Sequence, residues 1–226
     1  MGGPPDRGDR HALAHILWLG GTPCSGKTSV ARRLAEAHGL PVYHHDEQAR
    51  AHEARADPAR HPAFRAERAL SLDERWVLRP VETMVATTLA AWAEQFALAL
   101  EDLRALPDRA PILAEGPGLL PDCVAPLLSS PRQALWLVPT EAFKRATQPT
   151  RDRAWMARTR DPERTYQNLI ALDLALAREV AGRARALGLT VIEVDGTRPV
   201  AAMAARVAEH FAPVLASAGA AGRRGG

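Results

Sequence analysis

Residues 15–38 read HILWLGGTPCSGKTSVARRLAEAH, and this stretch constrains the fold more than any other. The short apolar run HILWL predicts a strand buried on both faces. It stops at Gly20 and Gly21. Val30, Leu34 and Ala37 then recur at helical spacing, and Gly39 supplies a C-terminal stop. Between the strand and the helix lies Gly21-x-x-x-x-Gly26-Lys27-Thr28. Glycines allow successive backbone N–H groups to turn inward, and a helix N-terminus adds partial positive charge, so the unit predicts an anion cradle. Lysine usage points the same way. Lys27 and Lys144 are the chain's only lysines, so 27 of its 29 cationic side chains are arginine. A compact ammonium suits a phosphate pocket where a planar guanidinium fits poorly.

The spacing fits the P-loop pattern. The expected nucleotide-binding residues are Gly21, Thr22, Pro23, Cys24, Ser25, Gly26, Lys27, Thr28 and Ser29. Lys27 is expected to reach the outer phosphates of ATP, and the Thr28 hydroxyl to ligate Mg²⁺. Cys24 contributes its backbone rather than its thiol.

The rest of the chain reads as one α/β domain over 14–215. Residues 1–13 and 216–226 lack apolar periodicity and are expected to be disordered. LPVYHH, APILAEG, RQALWLV and GLTVIEVDG read as four further strands. Val81, Met84, Val85, Leu89, Trp92 and Phe96 mark a long amphipathic helix. Asp161-Pro162 opens another helix, as an N-cap followed by proline at the first position, and a last helix follows Pro199. Residues 47–79 are charged, broken by Pro58 and Pro62, and read as short helices and loops on the substrate side. The alternation predicts a three-layer α/β/α fold with a five-stranded parallel sheet. Ligands then sit beyond the carboxyl ends of the strands, near the loop, Asp46, Glu115, Pro139 and Asp195.

In element order, residues 15–212 resemble the small P-loop kinases related to shikimate kinase, gluconate kinase, adenylate kinase and chloramphenicol phosphotransferase. The resemblance implies an ATP-dependent phosphotransferase that moves the γ-phosphate to a hydroxyl of a small molecule. It implies that Asp46, in YHHDE, faces the acceptor, with His45 and Arg50 beside it. It also implies a mobile lid over about 149–161, with Arg151 and Arg153 as catalytic cations and Arg158 and Arg160 nearby. Glu115, in LAEGPG, is placed either to hold Mg²⁺ through water or to bind the acceptor. His44 and His45 are adjacent on a strand and point to opposite faces, so a metal ion shared between them is not expected.

The chain departs from the adenylate-kinase pattern. That pattern has Gly-Asp-x-x-Arg after the second strand and Asp-Gly-x-Pro-Arg after the third. Here HHDEQAR places Arg50 one position late, and EGPGLLPD has no arginine. This favours an acceptor without its own monophosphate, although Arg50, Arg55 or Arg79 are available to hold one. A nucleoside monophosphate kinase and a non-catalytic ATP-binding regulatory module therefore stay open as alternatives. The Asn-Lys-x-Asp stretch of GTPases and the paired acids of mechanical ATPases are absent. Cys24 and Cys123 form no disulfide or zinc pattern. The net charge of +3 is spread among acids, so no nucleic-acid partner is expected. No apolar run is long enough for a bilayer, and no membrane partner is expected. A cytoplasmic location is the default, and the oligomeric state is not legible.

Overall fold

A computed structural model describes residues 10, 12–108, 110–147 and 154–222, with side chains to 216. Five strands form one parallel sheet: β1 (Ile16–Gly21), β2 (Val42–His44), β3 (Ile112–Glu115), β4 (Ala134–Pro139) and β5 (Thr190–Val194). Their order is β2-β3-β1-β4-β5, so β1 is central, with Ile16 opposite Ile112 and Trp18 opposite Ala134. The helices are α1 (Lys27–His38), α2 (Ala49–Arg55), α3 (Pro62–Ala69), α4 (Leu72–Trp76), α5 (Val81–Ala105), α6 (Pro121–Val124), α7 (Glu141–Thr147), α8 (Pro162–Ala186) and α9 (Val200–Gly222).

The sheet is covered on both faces, and the period of two in β1 sorts its residues between them. Ile16 and Trp18 join Phe96 and Leu103 of α5 and Leu176 and Val180 of α8. Leu17 and Leu19 join Val30 and Leu34 of α1 and Val207 and Phe211 of α9. With two covered faces and a strand on each side, β1 is apolar throughout and buried along its length. Its carboxyl end lies between strands reached by connections running in opposite directions, the crevice where ligands bind in open α/β sheets.

Local signals set the helix ends. Gly39 caps α1 in the left-handed conformation (φ 64°), its N–H donating to the Ala35 carbonyl. Asp161 caps α8 by accepting from the Arg164 N–H, with Pro162 at the first position. The 47–79 segment forms α2, α3 and α4, and a Ser71/Glu74 capping box opens α4.

Of the two ends expected to be disordered, 1–13 and 216–226, residues 1–9, 11 and 223–226 lie outside the described residues, and the described parts are ordered. Leu13 is wholly buried, the Arg10 Nε donates to the Pro126 carbonyl, and α9 continues to Gly222. Alanine, the best helix former, extends α9 beyond the last apolar repeat. No helix among the described residues is long and apolar enough to cross a membrane.

A buried polar cluster ties β2 and α2 to α5. The His52 imidazole is wholly buried; its Nδ1 accepts from Gln95 Nε2 (3.1 Å) and its Nε2 donates to Asp102 Oδ2 (2.8 Å). Tyr43 and Arg55 donate to the same carboxylate at 2.8 and 2.6 Å. Burial works against the Asp102 charge, but the bonds from His52, Tyr43 and Arg55 outweigh it and hold its pKa below the usual carboxylate range. A carboxylate depressed in the folded state stabilises above its unfolded pKa of about 3.9, and that stability is lost as pH falls through the folded value. Urea midpoints should therefore fall as pH drops below about 4, and the fall should be shallower in Asp102→Asn.

Candidate functional site

The loop leaving β1 is shaped first by the sheet. A Cβ on Gly20 would lie 2.2 Å from the Trp136 indole nitrogen, which donates to the Leu119 carbonyl at 2.8 Å. A Cβ on Gly21 (φ 130°) would lie 1.9 Å from the Leu137 carbonyl oxygen. Both glycines are thus needed for β4 to pack beside β1. Gly26 differs: it has φ 78° and open space around it. Cys24 also has a positive φ (67°), uncommon outside glycine.

Within this turn the Thr22 and Ser25 hydroxyls are buried and have no partner among the described residues. The α1 N-terminus begins immediately after, with no side chain capping it. Unpartnered hydroxyls and an uncapped helix N-terminus together make an anion cradle.

Lys27 is buried, and its Nζ donates across the loop to the Thr22 carbonyl at 3.0 Å. Burial lowers its pKa, and the carboxylates of Glu115 and Asp46 oppose that shift. The Thr28 hydroxyl donates to Glu115 Oε1 at 3.1 Å, and the His44 Nδ1 lies 2.7 Å from the same oxygen. Glu115 is 1% exposed. The pair Thr28 and Glu115 is a hard-oxygen donor set of the kind Mg²⁺ takes when phosphates and water complete its shell. Among the described residues, no three His, Cys, Asp or Glu side chains gather into a metal-holding group.

His44, not singled out as a site residue from the sequence, is opposite Glu115 in the β2–β3 pairing and so reaches it. His45 points elsewhere. Its ring is 1% exposed, both ring nitrogens lack partners among the described residues, and burial pushes its pKa down to about 3. The glycines of EGPG make room for it: a Cβ on Gly118 would lie 2.1 Å from the His45 Cε1. Asp46 is exposed on the turn after β2, close enough to act on the Lys27 charge. Ser29 and Arg50 are exposed, and Arg50 lines neither of the cavities described below.

Lys144, which the sequence left without a role, also meets the loop. It is 1% exposed on α7, and its Nζ bonds to Asp173 of α8 and lies 2.9 Å from the Cys24 sulfur. Both lysines of the chain therefore converge on this turn.

A cavity of about 370 Å³ opens beside Pro23, between α4, α5, α8 and the 3₁₀ turn Ala154–Arg158. A smaller one of about 170 Å³ adjoins it, reaching His45 and Asp46 and sharing Glu67, Arg75, Thr88 and Trp92. The described part of the expected lid packs over α4. Trp155 meets Trp76 with ring centroids 5.5 Å apart, Met156 is buried, and the Arg160 N–H donates to Asp73. Arg151 and Arg153 lie outside the described residues.

No family model matches the chain, and no curated protein matches it.

The glycines differ in what a side chain would meet. Gly21→Ala should destabilise by on the order of 2 kcal/mol or more, from strain and overpacking together. Gly26→Ala should cost only about 1–2 kcal/mol, the left-handed penalty alone. Urea unfolding of the two variants checks the difference.

Proposed function

We propose that this chain is an ATP-dependent phosphotransferase acting on a hydroxyl of a small molecule. One observation carries the reading. A turn with partnerless buried hydroxyls and an uncapped helix holds a buried lysine, and a cavity opens directly beside it.

In this reading the cradle and Lys27 bind the β- and γ-phosphates of ATP. Thr28, with Glu115 behind it, would hold Mg²⁺, which when bound neutralises charge on the phosphates. His44 and Thr28 both bond Glu115 and orient its carboxylate. The acceptor lies in the cavity, and Asp46 orients its hydroxyl. The acceptor oxygen forms its bond to γ-phosphorus as the bond to the β-bridging oxygen breaks. ADP leaves with that electron pair, and Asp46 takes the hydroxyl proton. Arg151 and Arg153 belong to the same reading as cations for the transferring group.

ADP release with ATP, Mg²⁺ and pooled hydroxyl acceptors tests the activity. Lys27→Ala should abolish nucleotide binding by calorimetry; unchanged binding would sink the reading. Asp46→Asn should keep ATP affinity and lower transfer about 10²–10⁴-fold, the usual contribution of a general base. Glu115→Gln should raise the Mg²⁺ concentration for half-maximal turnover about 10–100-fold, as loss of an outer-shell partner does.

A further inference from the structure

We infer that the cavity beside the loop takes an aromatic hydroxy acid: a flat ring bearing one carboxylate and the hydroxyl that is phosphorylated. The role of the hydroxyl rests on the phosphotransferase reading; the ring and the carboxylate are read from the cavity itself.

The ring follows from the walls. Three of the chain's five tryptophans, Trp76, Trp92 and Trp155, line the larger cavity, whereas Trp18 and Trp136 are wholly buried in the core. Met84, Leu172 and Leu176 complete an apolar surface behind them. A polyol would bury many hydroxyls there with few partners, at a cost for each. A flat apolar ring has no such groups to satisfy and gains contact with the indole faces.

The carboxylate follows from the charges. Arg79 is held by Glu67 at 3.0 Å, Arg68 by Glu53 at 2.8 Å, and Asp173 by Lys144. Arg75, shared by both cavities, has no carboxylate at ion-pair distance among the described residues; its guanidinium donates to the Glu67 backbone carbonyl. Glu67 and Glu53 act on it only through space and are themselves paired with Arg79 and Arg68, so one half-buried guanidinium is left to match one carboxylate. A phosphate dianion would bring a second negative charge into a cavity whose other arginines are already paired, with Asp46 at its wall. The polar end is completed by the Thr88 hydroxyl and by His45. The His45 ring is buried at the wall of the smaller cavity.

The test is binding to the full chain with Mg²⁺ and a non-hydrolysable ATP analogue, followed by tryptophan fluorescence and calorimetry. The probes are mandelate, 3-phenyllactate and salicylate, each beside its neutral amide, with gluconate and AMP for comparison. At least one aromatic acid should bind saturably, quench the fluorescence, and exceed its amide about ten-fold or more, as for a charge-assisted bond. Arg75→Gln should erase the acid-over-amide preference, and Arg75→Lys should retain part of it. No saturable binding by any of the three acids would overturn the inference. So would tighter binding of gluconate or AMP, or an acid preference that survives in Arg75→Gln. In a parallel turnover assay with ATP in place of the analogue, acid binding without ADP release would fault the kinase reading and leave the cavity assignment standing. ADP release with gluconate or AMP but with none of the acids would do the reverse.

Discussion

The structure depends on the burial of β1. Strands flank it on both sides and helices cover both of its faces, so its polar backbone is satisfied mainly by β3 and β4. At its carboxyl end that pairing stops. Gly20 and Gly21 let Trp136 and Leu137 come close enough to hold β4 in place, and the chain must then turn at once into α1. The turn carries the buried Thr22 and Ser25 hydroxyls, which have no partner among the described residues. Tight packing of the central strand and the sharp turn beyond it are thus two results of one geometry.

Features settled by a few neighbouring residues could be read directly. Gly39 stops α1, Asp161-Pro162 opens α8, and the apolar stripe from Val81 marks α5, because capping and periodicity act within one or two turns. Glu115 could be placed near the loop because it ends a strand in a parallel sheet. Its bonds to Thr28 and His44 could not, since they depend on the strand order and on the register of β2 against β3. His45 could be named from the sequence, but the same limit hid its seat and the contacts of Lys144. One imidazole is seated by glycines 71 and 73 residues away, and the lysine meets its partners across 29 and 120 residues. The 47–79 segment was legible as short helices, but the cavity it builds with α5 and α8 is a matter of tertiary shape.

Charge around the site is arranged by pairing rather than by sign. Lys144 with Asp173 and Arg79 with Glu67 are held in the structure as near-neutral units, which limits the cost of burying them. Lys27 and Arg75 are held differently. Among the described residues each donates to a backbone carbonyl rather than to a carboxylate. Glu115 and Asp46 act on Lys27, and Glu67 and Glu53 on Arg75, only through space.

The seat of His45 has an evolutionary consequence. Its ring occupies the volume that side chains at 116 and 118 would fill, so these three positions share one fixed allotment of space. Among descendants of this chain a larger residue at 118 is tolerable only where 45 has become small, and the intermediate with both large is selected against. Positions 45 and 118 should therefore drift together, and the histidine should persist wherever both glycines do.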